Sequence, residues 1–381
     1  MSATGMRLHT HNFSAGPAVL PEPVLDRIAA ELHDWRGTGA SVLETSHRSA
    51  AFVECAADAE TRLRRLLAIP DDYAVLFLQG GATLQFSSAV MNLAGKGSVA
   101  IADTGSWSAK AYAAAKRLAP TTRACSLATD ADGQLYIPQV DTWSVPQDVA
   151  YLHLCDNETI GGVALDDALL DEIDARFTSL PLVIDMSSSI LSRTIDVSRY
   201  AVIYAGAQKN LGPAGLTLVI ASPEAMMRSR RVPELPSVLS WAAMADADSM
   251  LNTPPTFAWY SAGLVLEWIE EQGGPAAMEK RNRDQAKRVY SAIDASDIYV
   301  NSVAGRHRSI MNVPFSLFDE SLTEAFLAEA AVAGLIGLKG HKSQGGCRAS
   351  LYNALPEHSI DALLAHLERF ARVAESQRAD S

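Results

Sequence analysis

The strongest constraint on this chain is an alternation. Short apolar runs at 73–78, 98–102, 149–154, 182–184, 201–204 and 216–220 are separated by stretches of helical spacing. Runs of four to six apolar residues suit strands covered on both faces. Strands that alternate with helices build a mainly parallel sheet between helical layers, an α/β fold. Helices are expected over 50–67, with Phe52, Ala56, Leu63 and Leu67 on one face, and over 87–93, 108–118 and 167–177; a further strand is expected over 123–128.

In an open parallel sheet, ligands gather at the carboxyl ends of the strands, and here polar residues gather there too. The run 182–184 closes on Asp185. The run 201–204 leads into Ala205-Gly206-Ala207-Gln208-Lys209-Asn210-Leu211-Gly212-Pro213, one lysine among small residues and 24 positions after the aspartate. A lysine that bonds a carbonyl cofactor must be held still, partly desolvated and approachable. A strand-end aspartate and a loop lysine are what pyridoxal phosphate (PLP) requires. The lysine forms the Schiff base, and the aspartate keeps the pyridine nitrogen protonated. A loop lysine beside a capping aspartate accounts for the pair equally well.

Other strand ends carry similar choices. Gln79-Gly80-Gly81-Ala82-Thr83 follows one strand and precedes a helix, the architecture of a phosphate cup built from backbone N–H groups. It matches neither the Walker nor the Gly-x-Gly-x-x-Gly pattern, and a plain tight turn fits as well. Trp107, read as lying in a polar loop past a strand end, is either a surface anchor or a platform for a heteroaromatic ring. Thr159, in Asn157-Glu158-Thr159, caps a turn or bonds a ring hydroxyl. His47 and Arg48 form an exposed turn or await an anion. Arg348 follows two glycines at the start of an expected antiparallel strand, 349–352, where a guanidinium can fork onto a carboxylate. His341 and Lys342 add positive charge nearby, though a basic turn with a solvated arginine reads the same way.

A chain of 381 residues exceeds the usual limit of one core, so two domains are expected. Residues 1–11 read as a flexible lead-in, 12–272 as the large domain and 273–381 as a smaller α+β domain. Asn252-Thr253-Pro254-Pro255-Thr256 cannot be helical and precedes a helix over 257–272, which Gly273-Gly274-Pro275 ends. In the small domain, Ser321 and Glu324 read as a capping box for a helix to residue 333, and Ser359 as the cap of the last helix, which should fray over 377–381. A net charge of −12 argues against a nucleic-acid or anionic-membrane partner. The four cysteines have neither zinc-ligand nor redox-motif spacing, so no metal is expected and the thiols read as reduced. No signal-like or membrane-spanning stretch is visible, and the expected location is the cytoplasm.

Taken together, Asn12-Phe-Ser-Ala-Gly-Pro17, Ser46-His-Arg48, Gly80-Gly-Ala-Thr-Leu-Gln-Phe86, Asn157-Glu-Thr-Ile160, Ile203 to Pro213, Asn252 to Thr256 and Arg348-Ala-Ser350 resemble, in order, the motifs of the phosphoserine aminotransferases. These are class-V enzymes of PLP fold type I. The resemblance implies a seven-stranded, mainly parallel sheet and PLP held by Lys209, which also shuttles the substrate proton. Asp185 would pair with the pyridine nitrogen, Trp107 would stack on the ring, and Thr159 would bond its oxygen. Ala82, Thr83 and Gln208 would serve the cofactor phosphate, joined by Asn252 and Thr253 from the other subunit of a homodimer with shared sites. Arg348 would take the substrate α-carboxylate. His47, Arg48, His341 and Lys342 would take the distal phosphate or γ-carboxylate. Some family members have arginine at the positions of Thr83 and Lys342 and serine at that of Ala15, so the distal pocket here is less rich in arginine. The implied reaction is amino transfer from glutamate to 3-phosphohydroxypyruvate in serine biosynthesis, and also to the substrate that yields 4-phosphohydroxythreonine in pyridoxine biosynthesis. The competing readings are another class-V PLP enzyme, including one like the cysteine desulfurases, and a non-enzymatic α/β protein that binds a phosphorylated ligand.

Overall fold

The computed structural model describes residues 9–379. Most of the expected lead-in, 1–8, and the last two residues lie outside them.

The apolar runs form one seven-stranded sheet. Its strands are β1 (Ala74–Gly80), β2 (Ser98–Asp103), β3 (Thr121–Ser126), β4 (Val149–Cys155), β5 (Leu182–Asp185), β6 (Val202–Gly206) and β7 (Gly215–Ala221). The order is β1-β7-β6-β5-β4-β2-β3, with β7 antiparallel to both neighbours and the remaining pairs parallel. The central strands are buried on both sides, with Val183, Ile184, Val202 and Ile203 fully enclosed, which is why their sequences are continuously apolar rather than alternating. On one face lie α2 (Ala50–Leu67), α5 (Asp167–Arg176) and α8 (Thr256–Glu271), following α1 (Glu22–Glu31) in the chain. On the other lie α3 (Ala82–Leu93), α4 (Ser106–Ala115), α6 (Pro223–Arg230) and α7 (Trp241–Ala245). The antiparallel β7 is preceded by the Lys209 loop, so β1, β2, β4, β5 and β6 all end on the same edge.

A separate core forms around the antiparallel strands β8 (Tyr299–Val300), β9 (Asn312–Leu317) and β10 (Cys347–Ser350). Helices α9 (Gly274–Asp294), α10 (Thr323–Val332) and α11 (Glu357–Ala379) cover it. The start of the chain joins this core: His11–Asn12 pairs in parallel with Leu335–Ile336, and Phe13 is fully buried there.

Three local expectations differ from the structure. Gly273-Gly274-Pro275 does end α8, but it also starts the 21-residue α9, because proline suits a helix's first turn. Ser321 caps nothing: it sits in a 3₁₀ turn, where its own N–H donates to Asp319, and α10 begins at Thr323 without a side-chain cap. Ser359 lies inside α11, its hydroxyl hydrogen-bonded to His11 Nδ1 at 3.0 Å.

One ion pair ties the loops after β4 and β5. Arg193 Nη2 donates to Asp156 Oδ1 at 2.9 Å, both side chains nearly fully buried, while Nη1 reaches the exposed Asp167 at 3.0 Å. The Asp156 carboxylate raises the Arg193 pKa above its ordinary value. Asp156→Asn leaves a buried guanidinium short of its main counter-charge and should cost about 3 kcal/mol, read from the urea midpoint at constant slope. A variant as stable as the parent would show the pair to be structurally neutral.

Candidate active site

The carboxyl edge brings Lys209, Asp185, Thr159, Trp107, Gln208 and Arg348 together. Lys209 follows β6, is half-buried, and donates from Nζ to Thr159 Oγ1 at 2.6 Å. The same nitrogen lies 5.3 Å from the centroid of the Trp107 ring. Burial lowers the Lys209 pKa, with Asp185 opposing that shift, and raises that of Asp185, with Lys209 opposing in turn. Each group is thus the other's main counter-charge in a site that disfavours charge.

Asp185 ends β5. Its Oδ1 accepts from the Ser187 N–H at 2.8 Å and the Ser187 hydroxyl at 2.5 Å. The Gly206 N–H donates to that hydroxyl at 3.0 Å, so the strand leading to Lys209 also fixes the aspartate. Both donors engage one carboxylate oxygen, which orients the other. Ser187 escaped the sequence reading, although the triple serine after Met186 marks an unusually polar buried turn.

A Cβ on Gly206 would lie 2.7 Å from Gln208 Oε1. The Gln208 carbonyl accepts from the Ala18 N–H at 2.9 Å, and Gly16 packs against the Lys209 stem, so the Asn12–Pro17 turn closes over this loop.

Helix α3 starts at Ala82, five residues before the expected start, with Gly81 at its N-cap and no capping side chain. The first-turn amides of Ala82 and Thr83 therefore face outward at the positive end of a 12-residue helix. Trp107 is not in a loop: it lies in the first turn of α4, half-buried, with Lys110 Nζ 4.0 Å from its ring centroid.

Arg348, on β10, donates from Nη1 to the Thr159 carbonyl at 3.4 Å. Its Nε is buried with no hydrogen-bond partner, and burial lowers its pKa. Among the described residues no carboxylate pairs with it. His341 bonds the Ser343 hydroxyl at 2.7 Å, and Lys342 is exposed, both on the turn leading to β10. Gln344 of that turn reaches over Gly161.

The other candidates form a second group. His47 and Arg48 precede α2 and line a cleft with Val53, Asp248, Met250 and Trp259. Asn252 Oδ1 and the Thr253 carbonyl accept from Gln79 Nε2, at 3.3 and 2.8 Å, at the end of β1. Among the described residues no hydrogen bond or ion pair joins these four to Lys209.

The site suits PLP: an uncapped helix N-terminus for a phosphate, an anchored carboxylate, a flat indole and a lysine disfavoured as ammonium. Fold and site define a PLP-dependent transaminase. Residues 10–363 match the family described as aminotransferase class-V, and the chain belongs to that family, within its phosphoserine aminotransferase group. It is 50% identical over 368 residues to a phosphoserine aminotransferase of Pseudomonas aeruginosa, covering 96% of this chain and 99% of that one. Identity to a phosphoserine aminotransferase of Acinetobacter baylyi is 48% over 366 residues, with the same coverage. A PLP-bound phosphoserine aminotransferase from Trichomonas vaginalis superimposes with a TM-score of 0.87 at 39% identity, covering 94% of this chain and 99% of that chain.

Proposed function

We propose that this enzyme transfers the amino group of glutamate to 3-phosphohydroxypyruvate, giving 2-oxoglutarate and phosphoserine. The observation that carries the substrate side is Arg348: a half-buried guanidinium beside Thr159 and Lys209, with no carboxylate of its own. Such a group is costly until an anion reaches it, and an α-carboxylate matches its fork. Bound PLP would supply an electron sink for the Cα–H bond. The residues do the rest. Lys209, whose pKa burial lowers, takes the Cα proton at Nζ and returns it. Thr159 Oγ1 steers that nitrogen, and Arg348 holds the substrate so that the Cα–H bond faces it. Asp185 would hold negative charge against the ring nitrogen. Trp107 offers a flat wall, and the α3 amides with Gln208 would bind the phosphate.

We also propose that the working unit is a homodimer with shared sites. His47, Arg48, Asn252 and Thr253 lie outside the Lys209 cluster of their own chain, and Leu43 and Val53, near His47 and Arg48 in sequence, are exposed. A second copy would bring the four to the first copy's phosphate positions, with His341 and Lys342 completing the distal anion pocket. The proposed role is cytoplasmic, in serine biosynthesis, with action also on the 4-phosphohydroxythreonine pair of pyridoxine biosynthesis; among the described residues no helix is long and apolar enough to cross a membrane. A desulfurase is disfavoured because Cys347, next to Arg348, is buried and its thiol pKa is pushed up to about 12.

The test is direct assay of the purified holoenzyme. Glutamate and 3-phosphohydroxypyruvate should give equimolar 2-oxoglutarate and phosphoserine; release of sulfide from cysteine without amino transfer would reject the proposal. Arg348→Ala should lower kcat/KM for glutamate by roughly 30- to 1000-fold, about 2–4 kcal/mol, while PLP stays bound. Arg348→Lys should fall between, since a point charge cannot fork. An Arg348→Ala enzyme within a few-fold of the parent would remove the guanidinium from substrate binding.

A further inference from the structure

Glu158 is a carboxylate with no exposure to solvent, and nothing in the proposed chemistry uses it. Its neighbour Thr159 touches Lys209, but Glu158 points the other way, into the first turn of α4. Oε2 accepts from the Trp107 N–H at 2.8 Å, and Oε1 accepts from the Ser108 N–H at 2.8 Å and the Ser108 hydroxyl at 2.7 Å. Those amides are the second and third of the helix, which has no side-chain cap of its own. The cap therefore comes from 50 residues away. The contact is tight enough to dictate a glycine: a Cβ on Gly105 would lie 2.7 Å from Glu158 Cδ and Cγ.

We propose that Glu158 is a positioning residue for the cofactor site, setting the indole wall of Trp107 against the Thr159–Lys209 pair. The backbone link is one residue long on each side. Thr159 is adjacent to Glu158, and the Trp107 amide is bonded to it, so one carboxylate sets the distance between the two walls that enclose the ring. A surface cap would be worth about 1 kcal/mol of helix stability and nothing more. A buried, doubly engaged carboxylate at a helix N-terminus, where the dipole favours negative charge, also fixes where the first turn lies. A glutamine here must turn its NH₂ toward one set of N–H donors, so the variant keeps the volume and loses the geometry.

The inference rests on the assignment of the site to PLP, and it is read from cofactor binding rather than turnover. Absorbance titration of cofactor-depleted protein and the visible circular dichroism of the bound cofactor should show, for Glu158→Gln, a dissociation constant raised about tenfold, or about 1.4 kcal/mol, and a weakened dichroic band. Ser108→Ala, which removes one donor and keeps the carboxylate, should raise it about threefold and serves if Glu158→Gln does not fold. Soluble variants with a lower melting temperature but unaltered PLP affinity and band would overturn the inference, leaving Glu158 a plain helix cap. A wild-type protein with no cofactor band would overturn the assignment of the site as well.

Discussion

Lys209→Ala should yield a folded protein whose amino-transfer rate is lower by at least about 10⁴-fold, the upper range for one positioned acid–base group. On the proposed mechanism the side chain supplies both the bond that retains the cofactor and the base at Cα. Thr159 is neutral and Asp185 is tied to Ser187. Stability should move differently. Burial lowers the Lys209 pKa, so the folded state disfavours the ammonium. A lysine of this kind opposes folding at pH values below its ordinary pKa, and the penalty fades as the pH rises toward that value. At neutral pH, without cofactor, the alanine variant is relieved of that penalty but leaves the buried Asp185 without its main counter-charge, so its melting temperature should stay within a few degrees of the parent's. Transaminase activity in Lys209→Ala, or a cofactor-free protein that unfolds without this lysine, would make Lys209 a structural residue.

Asp185→Asn should be nearly as damaging with less change in shape. Asparagine Oδ1 can still accept from both Ser187 donors, so the β5 end and the Gly206 N–H bond to the Ser187 hydroxyl survive. What disappears is the negative charge. Loss of one preorganised electrostatic partner typically costs 10²–10³ in kcat, and we expect a fall of roughly 10³-fold in kcat with KM for glutamate little changed, because Arg348 is untouched. A drop of only a few-fold would reduce Asp185 to a turn-forming residue. If KM rose in proportion while kcat held, the aspartate would belong to substrate binding instead.

Much of this was legible in the chain because it was written locally. Strands buried on both faces must be apolar throughout, so β1, β2, β4, β5, β6 and β7 stand out without any partner being known. Asp185 and Lys209 end or follow two of those strands, and the small residues between Gly206 and Gly215 signal close packing. What was not legible depends on distant or ambiguous partners. Helix α9 hid behind Gly273-Gly274-Pro275, which terminates one helix and begins another; Ala286, Val289, Tyr290 and Ile293 mark its buried stripe. Trp107 looked like a loop residue because its helix is capped from Glu158, not from its own N-terminal flank. Ser321 and Ser359 matched capping patterns while Asp319 and His11 took the bonds instead. His47 and Arg48 line a cleft apart from the Lys209 cluster of their own chain, which is what a site completed by a second subunit would look like.

The account turns on a covalent link at Lys209, and one measurement addresses it directly: borohydride reduction of the PLP-loaded protein, followed by peptide mapping. The phosphopyridoxyl mass should appear on the peptide carrying Lys209 and on no other. Lys110 is the informative control, because its Nζ lies closer to the Trp107 ring than that of Lys209, 4.0 against 5.3 Å. Label on Lys110, or a reduced protein with no label at all, would contradict the site as described.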